Sequence, residues 1–490
     1  MLFTGEMSQR LKTYRGDFKN NVFHGNGELI FSDNSYYEGH FENGFFDGLG
    51  QMMAANGDNY MGPFKEGRKE GIGILMSSTG LRYEGEFYHN QFHGFGICLD
   101  ESGRKYEGMY KHGKRNGVGN LYYGTMLKYS GSFHDDEMEG FGEWYAIDKK
   151  CNQSVLRYRG HFVKSMKDGE GVYFFENGSV FVGTFRQNEI NGFGKRYILD
   201  GSVLEGHWTE NQLNGYGCFC TNDGSIYDGE YKDTRQQGYG LFLFSDRNVC
   251  SSVWNDNIID GYTTFYVNGN YVYHGEMRGF VRRGIGEIQY ENGIHYIGEW
   301  ESNRMNGRGE YKTRDGDHYI GQFKDGKRTG RGVFHFSDGS VYDGEYVEDK
   351  RSGQGTMTYN DGSIYSGSWD NDNKNGYGKI QFFDGGSYVG YWKNDKANGF
   401  GKMVFLDHSY YEGEYIDNKR NGRGEYVYTD GSKYIGSFKN GVFHGIGIYN
   451  SSNGDFFKGT FKNNVFVEGY KSFHDGRQFY GIFKYCVMNQ

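Results

Sequence analysis

The chain has 490 residues with 54 Lys and Arg against 63 Asp and Glu, a formal net charge of −9. That balance gives no global reason to expect nucleic-acid binding. Its 82 glycines, against a usual ~7%, come with one proline and with 44 tyrosines and 40 phenylalanines, too many rings for a disordered chain.

Residues 1 to 13 hold no apolar core for a signal peptide, and no run of about 18 apolar residues occurs anywhere. Leu2-Phe3 reads as an added capping strand. A 23-residue pattern then begins at Tyr14 and restarts at Tyr37, Tyr60, Tyr83, Tyr106, Tyr129, Tyr158, Phe181, Leu204, Tyr227, Cys250, Tyr273, Tyr296, Tyr319, Tyr342, Tyr365, Tyr388, Tyr411, Tyr434 and Phe457. Counting that first residue as +0, the template is aromatic at +0, Gly at +2, aromatic at +4, Gly at +11 and +13, apolar at +15 and Asp/Asn-Gly at +19/+20. Such a period means stacked repeats, one array rather than three domains.

Alternation puts +0, +2 and +4 on one side of a strand, and +11, +13, +15 and +17 on one side of the next. Positions +5 to +10 read as a loop that brings +4 opposite +11, Gly +2 opposite Gly +13, and +0 opposite +15. A three-residue turn with its Gly in the left-handed region keeps the faces in phase into the next unit. The fold class is therefore all-β: an elongated, twisted, single-layer antiparallel meander of about 20 hairpin repeats. Its glycines form a spine, with rings lying over bare backbone.

Units such as Tyr342-Asp343-Gly344-Glu345-Tyr346, with Gly353-Gln354-Gly355 and Asp361-Gly362-Ser363, resemble MORN repeats, from residue 14 to about 483. The resemblance implies single-layer sheets whose aromatic groove holds a partner helix, and an affinity for phosphoinositides. A chain of such repeats alone is similar to ciliary and cortical scaffold members: axonemal, radial-spoke and protist cytoskeletal proteins.

Along the array, the first half is 14–249. Units one to six carry apolar +9 residues, among them Phe23, Phe46, Phe92 and Met138. Six extra residues fall at 148–157, either a tolerated surface insertion or a docking loop. Units nine and ten add a second apolar face, Tyr216, Cys218 and Cys220 with Tyr239, Leu241 and Leu243, read as an interaction patch or as local packing. Unit eleven, 250–272, has Cys250, Ser252 and Thr263 in place of Tyr, Gly and Gly, and is either a decayed repeat or a hinge or groove plug. The second half is 273–483, with units twelve to eighteen the most regular and a last unit one residue short that reads as a cap, followed by a tail at 484–490.

Three expectations about sites follow. Tyr296, Trp300, Tyr319, Phe323, Tyr342, Tyr346, Tyr365, Trp369, Tyr388 and Trp392 would carry contacts to a partner segment in the groove. Arg304, Lys327, Arg328, Lys350, Arg351, Lys374, Lys396, Lys419 and Arg420 would form a basic edge for an anionic partner. No catalytic set, cofactor motif or metal spacing is found: the six cysteines are scattered and the Gly-x-Gly strings precede strands.

The reading is a non-enzymatic interaction scaffold, cytoplasmic and cytoskeleton-associated at a cilium, flagellum or cell cortex. It would bind other proteins, with self-association and anionic lipid as further partners and no nucleic acid. The alternatives are a peripheral phospholipid-binding protein using the basic edge loops, and a targeting subunit for an enzyme on another chain.

Overall fold

The computed structural model describes residues 11–487, with side chains to residue 483, so Leu2-Phe3 and the side chains of 484–490 lie outside it. Forty-two strands and no helix occur among the described residues. The chain divides into two compact units, Met1–Ser245 and Asp246–Gln490. In each, consecutive strands pair antiparallel, one hairpin after another, from Leu11–Lys19 in the first and from Val249–Asn255 in the second.

The register follows from the glycines. In the hairpin His318–Lys324 with Lys327–His335, Tyr319 faces Phe334 and Gly321 faces Gly332. Across to the next unit, Gly332 faces Gly344 and Phe334 faces Tyr342. A Cβ on Gly332 would meet the Tyr319 hydroxyl at 2.3 Å and its ring at 2.4 Å. The tyrosine thus lies flat on backbone that only glycine leaves bare.

The turn that restarts most units is the three-residue turn with left-handed glycine, a place that Asn34, Arg247 and His408 take in three of them. Phe336 N–H donates to Ser340 O (2.8 Å), Gly339 N–H donates to Phe336 O (3.0 Å), and Gly339 has φ 90°. The turn's Asp caps its own backbone: Ser35 donates its N–H (2.9 Å) and hydroxyl (2.6 Å) to Asp33, and Ser409 does the same to Asp407 (2.9 and 2.6 Å). These side-chain and backbone hydrogen bonds hold both carboxyls below the ordinary aspartate value of 3.8. A depressed carboxyl stabilises the fold above its unfolded value, and that contribution is lost as pH falls through the folded one. The melting temperature is therefore expected to be flat from about pH 7 to 5 and to fall below about pH 4, a profile that thermal unfolding monitored by circular dichroism checks.

The other turn differs from the expected loop at +5 to +10. Both strands continue: Phe323 faces Arg328, Lys324 faces Lys327, and only Asp325-Gly326 (φ 52° and 84°) turn. Two consecutive left-handed residues make a tight two-residue hairpin. So +4 faces +9 of its own unit, and +11 of the preceding one, as in Gly330 opposite Tyr346. The length difference is absorbed by a bulge, where Gly330 takes φ 57° and Gly353 φ 68°.

The bulge takes the +3 carbonyl out of the ladder, and the +0 hydroxyl donates to it: Tyr37 to His40 O (2.8 Å), Tyr83 to Glu86 O (2.8 Å), Tyr365 to Ser368 O (2.9 Å). That pairing is why the ring is tyrosine in most units, with phenylalanine only at Phe181 and Phe457. On the opposite strand, Glu86 accepts Phe95 N–H at 3.2 Å and Glu414 accepts Arg423 N–H at 3.1 Å.

Repeats also clamp their neighbours. Left-handed residues at +7 accept the +9 N–H of the previous unit: Asp372 from Arg351 (3.0 Å), Asn418 from Ala397 (2.7 Å), Asn464 from Phe443 (2.7 Å). The extra residues at 148–157 form no loose loop. They lengthen one hairpin, with Ile147 opposite Ser154 and Asp148 opposite Gln153. The last unit is offset, pairing Gly459 with Gly469 and Gly469 with Gly481.

Candidate functional site

The ring face is the core. Most +4 rings stand edge-on between two +0 rings, as Phe323 does at 5.1 Å from Tyr319 and 5.3 Å from Tyr296, and Trp369 at 5.2 Å from Tyr365 and 5.4 Å from Tyr342. Edge-to-face packing is the favoured ring geometry. Trp300, Trp369 and Trp392 also donate Nε1–H to the carbonyls of Gly286, Gly355 and Gly378, at 3.0 to 3.1 Å.

The ten groove residues expected to contact a partner take their places in this packing. Tyr296, Trp300, Tyr319, Phe323, Tyr342, Tyr346, Tyr365, Trp369, Tyr388 and Trp392 are at most 7% exposed, because they bury one another. They form the floor of the ring face, and a partner there would meet the residues above them. One such hollow, of 370 Å³, is lined by Tyr296 and Trp300 together with Arg282, Ile288, Tyr290, Met305 and Tyr311.

The basic row is likewise redistributed. Residues at +9 lie on the ring face because the strand runs through them. In units with Phe there, the ring stacks on the +0 tyrosine: Phe46 on Tyr37 at 3.9 Å, Phe92 on Tyr83 at 3.7 Å, Phe443 on Tyr434 at 3.8 Å. Arg328, Arg351, Lys374 and Arg420 fill the same slot as cations over rings. Arg328 and Arg351 are also paired, at 3.1 Å, to Asp349 and Asp372.

The +8 residues Arg304, Lys327, Lys350, Lys396 and Lys419 are exposed on the other face. Arg304, Lys327 and Lys396 lie 3.6, 3.5 and 3.8 Å from Asp325, Glu348 and Asp417. Lys350 donates to Asn371 at 3.1 Å. The nine residues therefore make no single basic edge.

Tyr216, Tyr239, Leu241 and Leu243 lie exposed on the face away from the rings, with Cys218 and Cys220 half-buried beside them. The two sulfurs are 3.7 Å apart, and burial, with the neighbouring thiol, pushes Cys218 up to about 12. No group of three or more metal-binding side chains occurs among the described residues, and no helix there is long and apolar enough to cross a membrane.

Tyr216 and Tyr239 belong to a longer row that the sequence reading missed. Position +12 points away from the rings in every hairpin but the offset last one, and Leu49, Ile72, Phe95, Val118, Phe141 and Phe193 occupy it, 49% to 75% exposed. The signal was available: reading the single column +12 down the array shows apolar residues where a solvated face calls for polar ones. Steps between them are two strands, about 10 Å.

The sequence profile for the MORN repeat matches ten segments between residues 14 and 249 and seven between 296 and 456. The chain belongs to the MORN-repeat family. This MORN-repeat chain is a repeat scaffold, and the profile omits 250–295, which spans the aberrant unit eleven. No match to it was found among curated proteins.

Among solved structures, it is similar to the TCP10 domain of Danio rerio CPAP in complex with a peptide of Danio rerio STIL: 14% identity, TM-score 0.20, covering 55% of this chain and 98% of that one. It is similar also to the Drosophila melanogaster SAS-4 TCP domain in complex with a proline-rich motif of Ana2: 12% identity, TM-score 0.21, covering 35% and 86%.

Unit eleven shows how the MORN hairpin absorbs the loss of its glycines. Ser252 still faces Thr263, and their hydroxyls, buried, are 2.6 Å apart. The side chains fill the space a tyrosine ring takes elsewhere, and Cys250, fully buried and pushed up to about 12 by that burial, leaves it free.

Proposed function

We propose that this MORN-repeat protein is a non-enzymatic scaffold that gathers polypeptide partners within a ciliary, axonemal or cortical cytoskeletal assembly. The observation that carries the reading is the +12 row: large apolar side chains, exposed in thirteen of the twenty repeats on the face opposite the ring-filled one. Contiguous exposed apolar surface of this kind marks an interaction site. The hollows above the ring floor offer a second, shallower place for a partner segment.

The phospholipid-binding reading draws less support, because most +8 cations sit near a carboxylate or amide of the neighbouring hairpin. The targeting-subunit reading would rest on the same +12 row, with an enzyme on another chain as the partner.

The test is retention of tagged full-length protein in its own cell after mild detergent extraction. The wild type is expected to stay on an axonemal or cortical structure. A variant with Ile72, Phe95 and Val118 replaced by Ser is expected to be released while remaining folded. Release of the wild type together with membrane lipid would overturn the scaffold reading in favour of the lipid one.

A further inference from the structure

The +12 row carries charge at a few places, and two of them differ from the rest. In the first unit of the fold, Glu170 stands at +12 between Phe141 and Phe193, two strands from each. It is exposed, and no ion pair to it occurs among the described residues. It lies in a hollow of 630 Å³ bounded by the two phenylalanines and His161, with the backbone of facing glycines, Gly160 and Gly171 among them, as its floor. The nearby cations are committed elsewhere: Arg159 to Glu143 at 2.7 Å and Lys195 to Glu205 at 2.9 Å. What would fill this hollow is a cation flanked on both sides by apolar groups at about 10 Å spacing.

The second unit presents that arrangement. Arg423 stands at +12 between Phe400 and Ile446, again two strands from each, and those neighbours are 55% and 77% exposed. The Arg423 side chain is exposed and makes no ion pair among the described residues, although its backbone N–H donates to Glu414. Glu170 is the one anion in the row with apolar neighbours on both sides, and Arg423 the one such cation: Arg308 and Arg331 follow each other, and Arg331 lies 3.6 Å from Asp343.

We infer that the back face around Glu170 is the docking site for a second copy of this chain, which presents its Phe400–Arg423–Ile446 row. The apolar–anion–apolar row meets an apolar–cation–apolar row of equal spacing, and in either direction the charged pair is enclosed by apolar side chains. Aligned sheet-on-sheet packing accommodates such interdigitating rows. Enclosure makes the ion pair a specificity device, since a lone charge left there is penalised far more than a pair is rewarded.

This inference rests on reading the +12 row as an interface, and its test uses purified protein alone, so that its failure leaves the cellular retention experiment standing. Sedimentation of the full-length chain across about 1–100 μM is expected to show concentration-dependent self-association. Glu170→Arg and Arg423→Glu should each weaken the dissociation constant at least tenfold, and the double swap E170R/R423E should restore it to within about threefold of wild type.

Both positions are exposed, so circular dichroism should show unchanged folding. Should either reversal unfold the chain, Glu170→Gln and Arg423→Gln read the same loss without reversing charge. A wild type that stays monomeric throughout, single variants that associate like wild type, or a double swap that fails to recover would each overturn the proposal.

Discussion

Replacing Cys250 by Tyr, the residue at +0 in sixteen of the twenty units, is expected to destabilise the protein by about 3 kcal/mol or more. In the units with tyrosine at +0 the ring lies within 2.2 to 2.8 Å of where a Cβ would stand on the facing glycines, as at Gly321 and Gly332. At unit eleven those Cβ atoms exist, and Ser252 and Thr263 close the space with a 2.6 Å hydroxyl contact. A phenol at 250 has nowhere to lie, and a fully buried position cannot send it to solvent.

The triple variant C250Y/S252G/T263G should recover most of the loss, to within about 1 kcal/mol, because it rebuilds ring and floor together. Chemical unfolding measures the totals. Hydrogen exchange in Val249–Asn255 and Ile258–Val267 locates the effect, since a repeat array transmits damage mainly to its neighbours. If the single and triple variants were equally unstable, ring and glycine would not be coupled as the geometry requires.

The second large effect separates two residues adjacent in sequence. Arg351→Glu is expected to cost about 2–4 kcal/mol, and Lys350→Glu within about 0.5 kcal/mol. The Arg351 guanidinium lies 4.4 Å from the Trp369 ring centre, with its side chain 21% exposed. It donates to the Asp372 carboxylate at 3.1 Å and to the Asp372 carbonyl at 2.9 Å. A carboxylate in its place would face Asp372 in a half-buried slot and lose the ring contact. Lys350 is exposed on the other face, with one hydrogen bond to Asn371.

Denaturant titration of the two single variants checks the ratio. It also shows which charge reversals can test an anionic partner. Reversing Lys327 and Lys350 leaves the fold intact, whereas reversing Arg328 and Arg351 with them would unfold the repeats under study.

Much of this architecture is legible along the chain. The 23-residue period, Gly321 opposite Gly332, Tyr319 opposite Phe334, and the left-handed Gly339 in a three-residue turn all follow from alternation and from turn chemistry. These are local constraints, and twenty repetitions of the pattern make them unambiguous. Unit eleven is legible only as an exception, because its three substitutions complement one another across strands rather than along one.

The tertiary structure decided the rest. Asp325-Gly326 and Gly330 both read as turn punctuation, and a loop from +5 to +10 satisfies them equally well. Pairing shows a tight turn at the first and a bulge at the second, with strand between. Turns and bulges draw on the same left-handed residues, so local sequence does not tell them apart. That one difference carries Arg328 and Arg351 from an outer edge onto the rings. It is the packing of each ring between two others that turns the supposed contact residues, Tyr319 and Trp369 among them, into core. Exposure is a property of that packing, and so the open apolar row at +12 appears only once the opposite face has closed over its own rings.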